Sequence, residues 1–239
     1  MSIEDSLTTE KLPVEFPMSV QGGMLEALGI NMYTTIGKCL VEFVANAFDG
    51  DATKVNISIP VDEITAARSK LRAQAKEEVK GGKRDPFTVL LTPLPDDILV
   101  VIEDDGHGMS PSDIEHKFLP LNRKRRDDGQ GHETRLTTEG GSRYVMGRKG
   151  LGKLAGFGAA VKVVLRTKRA GEAYATTFTM DYAEIERAED LARIRIPATY
   201  EFDLDPVEHG TRITLSGLKA DAVKHSIDTI SHTIGEAFF

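Results

Sequence analysis

Glu42, Asn46 and Asp49 lie in a stretch from Tyr33 to Asp49 that holds no proline and only Gly37 among glycines. At about 100° per residue, an i, i+4, i+7 series falls in one row along a helix. An acid, an amide and an acid in one row suit a hydrated metal ion and a water nucleophile. Magnesium keeps most of its waters and takes few protein ligands. One Asn carbonyl beside phosphate oxygens would serve it. A Glu one turn earlier can orient or deprotonate the attacking water. The same row also fits an ordinary solvated face. Against that, Phe43, Val44, Ala45, Ala47 and Phe48 leave little of the helix polar.

A second group follows an apolar, β-branched run, Ile98-Leu-Val-Val-Ile102, which reads as a buried strand. It delivers Asp104 to a turn with Gly106, Gly108 and Met109. A buried carboxylate at a strand end accepts a hydrogen bond from an exocyclic amine such as that of adenine. Glycines permit positive φ and close approach of a flat ring, and Met109 can pack on that ring. An ordinary Asp-Gly turn has the same local form.

A third group is Gly147-Arg-Lys149-Gly150-Leu151-Gly152-Lys153, leading into an expected helix from Lys153 to Ala160. Glycines before a helix N-terminus present free N–H groups to an anion, and Lys149 and Lys153 add positive charge. Gly147-x4-Gly152-Lys153 fits most of a P-loop. The hydroxyl that a P-loop needs next is replaced by Leu154, and no clear strand leads into Gly147.

In order and context, the three groups resemble the boxes of the GHKL superfamily, the ATPases of gyrase, stress chaperones, histidine kinases and mismatch-repair proteins. The resemblance runs from about Tyr33 to Leu218. Glu42, Asn46 and Asp49 match its first box; Asp104, Gly106, Gly108 and Met109 its second; Gly147, Gly150 and Gly152 its lid-end glycines. His209-Gly210-Thr211 resembles a late Gly-Thr on a strand that helps hold the adenine aspartate. The resemblance implies a two-layer α/β sandwich of the Bergerat type: a mixed sheet, helices on one face and a mobile ATP lid over about 110–150. It implies that Glu42 is the general base, Asn46 the magnesium ligand and Asp104 the adenine reader. Asp49, Lys149, Leu151, Lys153 and Thr211 complete the expected ATP contacts. Asp105 stands where the family often has Asn, so the two acids compete for the adenine role; alignment on Gly106 and Gly108 favours Asp104. Details of the second and third boxes look like the MORC group and its prokaryotic relatives.

ATP and Mg2+ are thus the expected cofactors, and slow ATP hydrolysis the expected reaction. The resemblance also implies an ATP-dependent homodimer and a C-terminal domain or partner protein that supplies a basic residue to the γ-phosphate. Two other readings stay open: a nucleotide-binding signalling module that does not hydrolyse ATP, and a small-molecule or protein kinase on the same pocket.

The elements that must position these residues are legible in outline. Residues 1–22 read as a polar arm and 23–239 as the ATP-binding domain. A charged helical insertion is expected over about 62–84, and strands near 55–59, 87–92, 98–102, 161–167, 173–180, 192–200 and 211–215. Ser110-Pro111-Ser112-Asp113 caps a short helix. Residues 120–146, with Arg123 to Arg126, lack hydrophobic period and read as the lid. A last helix runs from about Asp221. The 239 residues, 40% hydrophobic, suffice for one domain with a sizeable core. No run reaches the roughly 18 apolar residues of a membrane span, and residues 1–17 do not read as a signal peptide. The single Cys39 excludes an internal disulfide and fits a reducing cytoplasm. The net charge of −7 argues against this domain gripping DNA by itself; nucleic acid is expected only through a larger protein.

Overall fold

The computed structural model describes residues 20–27, 33–82, 85–121, 136–147, 150 and 152–238. Among them, six strands form one sheet in the order β1-β2-β6-β3-β4-β5. They are β1 Val55–Ser58, β2 Val100–Asp104, β3 Ala160–Lys168, β4 Ala175–Asp181, β5 Ala198–Glu201 and β6 Gly210–Leu218. Every pairing is antiparallel, where a mixed sheet was expected. Alternation predicts which residues face the core; strand direction is set by the connections, which carry no such periodic signal.

The register lines up the faces. Ile57, Ile102, Ile213, Leu165 and Phe178 form one cross-strand row. Val100, Leu215, Val163 and Met180 form a second row on the same face. All but Ile57 are buried. Each such side chain taken from water is worth about 1.5–3 kcal/mol, so these rows fix the register. One step further along the same face the row turns polar: Asp104, Thr211, Thr167, Thr176. The opposite face carries partly exposed ion pairs, Arg166–Glu201 at 2.6 Å and Arg212–Glu103 at 2.9 Å, each worth no more than about 1 kcal/mol.

Helix α2, Ile36–Asp49, covers the apolar rows. Thr35 caps it, its hydroxyl oxygen accepting from Lys38 N at 3.4 Å. Its buried face is Ile36, Cys39, Leu40, Phe43 and Ala47, the 3.6-residue stripe expected of it. The last helix in the chain, Ile227–Phe238, packs beside it. In chain order the helices are α1 Met24–Ala27, α2, α3 Val61–Lys80, α4 Pro86–Leu90, α5 Pro111–Asp113, α6 Gly156–Ala159, α7 Tyr182–Glu186 and α8 Ile227–Phe238. A π-helical turn, Ile114–Phe118, extends α5. Gly22 N donates to Ala188 O at 2.8 Å, so the end of the expected arm is bonded to the turn after α7.

Three local expectations fail. The strand expected near 87–92 is helix α4, because a short apolar run suits either state and Pro86 takes the first helical position. The strand expected over 192–200 is a 3-10 turn, Leu191–Arg193, followed by β5 alone; Pro197 lies just before that edge strand, where a missing N–H is tolerated. The helix expected from Lys153 to Ala160 is a 3-10 turn, Gly152–Leu154, and the single turn α6. So short an element carries little dipole, and any phosphate contacts there fall to individual N–H groups.

Candidate nucleotide site

The Asp104–Thr211 end of the polar row lines a cavity of about 270 Å3. Asp104 and Thr211 come from β2 and β6, and Leu165 and Ile213 supply apolar floor. Phe43, Asn46, Asp49 and Gly50 come from α2 and its cap; Met109, Asp113, Lys117 and Phe118 come from the segment around α5. Such a mix of apolar walls with a few convergent polar groups is what small-ligand sites require.

Asp104 is held where it stands. Its Oδ1 accepts from Gly106 N at 3.0 Å. Burial pushes its carboxyl up from the ordinary value, and the backbone N–H groups of Gly106 and Thr211 oppose that push. Asp105 is turned away. Its Oδ1 accepts from Thr53 N and Lys54 N at 2.7 and 2.8 Å, and its Oδ2 from the Thr53 hydroxyl at 2.5 Å. Those bonds hold it below the usual carboxylate range, the Thr53 hydroxyl foremost. Of the two competing acids, only Asp104 lines the cavity.

Gly108 has φ +66°, and a Cβ there would lie 1.9 Å from Lys168 O. The close approach that this glycine permits is to the protein's own backbone after β3. Gly106 is likewise pressed against Gly50 O, 2.7 Å from where its Cβ would be. Thr167, between Met109 and Thr211, joins the two halves of the wall. Its hydroxyl accepts from Met109 N at 2.9 Å and sits 3.1 Å from the Thr211 hydroxyl.

On α2 the expected row divides. Asn46 and Asp49 line the cavity. Both oxygens of Asp49 accept backbone bonds, from Met146 N at 2.7 Å and Gly147 N at 3.0 Å. Asp51 accepts from Gly140 N at 2.6 Å, and Arg143 donates to Ala52 O at 2.7 Å. Residues 136–147 of the expected lid are therefore tied by hydrogen bonds to the end of α2 and the turn after it, within a segment expected to be a mobile lid. Glu42, one turn before Asn46, lies outside the cavity wall. Its Oε1 accepts from the Tyr33 hydroxyl at 3.1 Å, and its Oε2 lies against Gly152.

Lys153 corrects the third group. Its side chain is buried, its Nζ donates to Pro120 O at 2.6 Å, and it lies over the Phe118 ring at 5.8 Å. It lines a different, larger cavity of about 590 Å3, walled mainly by Leu, Ile, Phe and Met side chains of α5, β4 and the turns around α7. None of the acids or amides of the three groups reaches that cavity, so the smaller one is the candidate site. Gly147, Gly150 and Gly152 lie beyond its wall; Lys149, Leu151 and the basic run Arg123 to Arg126 fall outside the described residues.

Some cavity residues escaped sequence reasoning. Arg169, just after β3, lies 2.7 Å from His107 Nδ1 and is paired with Glu139. His107 and Glu139 line the cavity, as does Lys117, 2.5 Å from Asp113. Only the i, i+4 spacing of Asp113 and Lys117 gave a local signal. Among the described residues no group of three or more His, Cys, Asp or Glu is placed to hold a metal ion. A magnesium ion would therefore rest on Asn46 and phosphate oxygens, which fits an ion that takes few protein ligands.

A sheet covered on one face by helices, with a cavity between α2 and the segment around α5, is the two-layer architecture of a Bergerat-type ATP-binding fold. The sequence model of the histidine kinase-, DNA gyrase B- and HSP90-like ATPases matches residues 33–211, and the chain belongs to that family. Proteins of this family bind ATP, typically with magnesium. The chain is also similar to the putative type II restriction enzyme HgiDII of Herpetosiphon aurantiacus, 30% identical over 207 residues, which are 86% of this chain and 26% of that protein. The chain thus spans about a quarter of the relative's length. No described helix is long and apolar enough to cross a membrane.

Proposed function

We propose that the chain binds ATP with magnesium, hydrolyses it slowly, and uses the bound nucleotide to fix the lid and build a dimer surface. The observation that carries the reading is the convergence of Asp104, Asn46 and Thr211, from three distant segments, on one cavity. Asp104 would accept from the adenine amine. The phosphates would then run past Asn46 toward Gly147–Gly152, with Asn46 holding the magnesium ion, whose chemistry is to neutralise phosphate charge. Glu42, one helical turn on, would take a proton from water as the water oxygen bonds the γ-phosphorus. The bond to the bridging oxygen breaks, leaving ADP and phosphate.

The lid ties to Asp49 and Asp51 support a switch, because such hydrogen bonds to carboxylates are each worth about 1.5–3 kcal/mol and can be exchanged one by one for contacts to nucleotide. We place this domain within a longer, MORC-like protein in a reducing cytoplasm, in which another domain or partner brings a basic residue to the γ-phosphate. The restriction-enzyme relative favours work on DNA by that larger protein over the signalling and kinase readings.

Magnesium and ATP at 100 times the dissociation constant stabilise by about 2.7 kcal/mol, which is roughly 5–10 °C in Tm for a domain of this size. We expect that rise with ATP, little with GTP, and its loss in Asp104→Asn. Equal shifts with GTP and ATP would remove the adenine assignment. Glu42→Ala is expected to keep binding and to lower turnover about 10²–10⁴-fold.

A further inference from the structure

We propose that Tyr33 is a positioning residue for the Glu42 carboxylate, working with Gly152 to aim it; this rests on the reading of Glu42 as the base. The two carboxylate oxygens meet different neighbours. Oε1 accepts the Tyr33 hydroxyl at 3.1 Å. Oε2 faces Gly152, where an added Cβ would stand 2.4 Å from it. One oxygen is thus tethered, and the other is kept in place by a residue that has no side chain to displace it.

Tyr33 is itself firmly seated. Its carbonyl oxygen would lie 1.8 Å from a Cβ on Gly158, so its backbone is pressed onto α6. The Cys39 thiol, which donates to Ala155 O at 3.0 Å, lies 3.6 Å from the same carbonyl. Burial, and then the neighbouring Glu42 charge, push the Tyr33 phenol up to about 12. The hydroxyl therefore stays protonated and acts only as a donor across the working pH range. A donor to one oxygen stabilises the charged carboxylate and fixes the plane of its second oxygen, the one left to meet water. The seat joins three segments: the lead into α2, α2 itself and the glycines at the end of the lid. A shift of Gly152 when nucleotide arrives would pass directly to the base.

Tyr33→Phe removes the hydroxyl and keeps the ring. It should leave ATP affinity and Tm near the parental values and lower kcat about 10-fold. Gly152→Ala should lower kcat about 100-fold, since displacements near 1 Å cost that much. In Glu42→Asp, one methylene shorter, Gly152→Ala should cost clearly less than its roughly 100-fold in the parent, because the shortened carboxylate no longer meets the added Cβ; an equal loss in both backgrounds would show that Gly152 does not act through Glu42. A readout independent of turnover is the ¹³Cζ resonance of Tyr33, assigned by its absence in Tyr33→Phe: Glu42→Gln should move it at neutral pH. If it does not move, or if Glu42→Ala abolishes turnover while Tyr33→Phe leaves kcat unchanged, the positioning role is wrong and the base stands. If Glu42→Ala hydrolyses ATP at the parental rate, the base itself is wrong, and Tyr33 falls with it.

Discussion

At the sheet end of the site, Asp104, Thr211 and Thr167 stand on three neighbouring strands and are locked by ladder bonds. At the lid end, Gly140, Met146 and Gly147 hang from the carboxylates of Asp51 and Asp49. Moving a residue of the first kind means breaking a sheet whose adjoining rows are buried. Releasing one of the second kind means exchanging single hydrogen bonds to carboxylates, each of about 1.5–3 kcal/mol. The difference teaches that the wall beneath Asp104 is built before any ligand arrives, whereas the lid end can be rearranged by one. Two acids divide in the same way: burial raises Asp104 at the sheet end, whereas at Asp51 burial is outweighed by the hydrogen bonds of Thr138 and Gly140, which lower it.

The largest expected effect lies at the sheet end. Gly108→Ala combines a positive φ with a Cβ 1.9 Å from Lys168 O. Backbone must shift, and we expect a loss of about 3 kcal/mol or more, roughly 6–12 °C in Tm. Gly141, in the lid, has φ +72° with nothing within 4 Å of an added Cβ. Gly141→Ala should cost only about 1 kcal/mol. Thermal melts that rank the two the other way would break the comparison.

Asp49→Ala comes next. It leaves Met146 N and Gly147 N without their acceptor and should cost about 1–2 kcal/mol. Hydrogen exchange should quicken at those two amides and leave the paired amides of β2 and β6 unchanged. Equal acceleration in both places would show that lid and sheet open as one unit.

The smallest effect is the response to acid. Arg169 holds the Glu139 carboxyl below its ordinary range. Asp113 is lower still: burial opposes its ionisation, but Lys117 and the Ser110 cap outweigh it. A depressed folded value means that the stabilisation is present above the unfolded value, about 3.9–4.3, and is lost as pH falls through the lower folded one. Asp104 has the opposite sign. Its raised value gives a share present below about 3.9 and lost as pH rises through the folded value. Between about pH 4 and 2, exchange corrected for its intrinsic rate should rise around Asp113 and Glu139 before it rises in β2 and β6. Simultaneous loss would remove the distinction between the two ends.

Much of this was written in local sequence. The spacing of Glu42, Asn46 and Asp49 put them in one helical row, and α2 carries them so. The apolar, β-branched run Ile98–Ile102 marked a buried strand, and β2 lies there as Val100–Asp104. Both are local signals that neighbouring residues carry by themselves. Tertiary structure decided what periodicity cannot express. Register placed Asp104, Thr211 and Thr167 side by side, and nothing near Thr167 announced it. A long-range turn gave Asp105 to Thr53 and left Asp104 for the cavity. Lys153 went to Pro120 and the larger cavity because the glycines before it lead into a 3-10 turn and not a full helix. The sequence by itself determined which residues share a face; only the packed sheet, through non-local bonds and burial, decided which faces meet and which of two equal-looking acids lines the site.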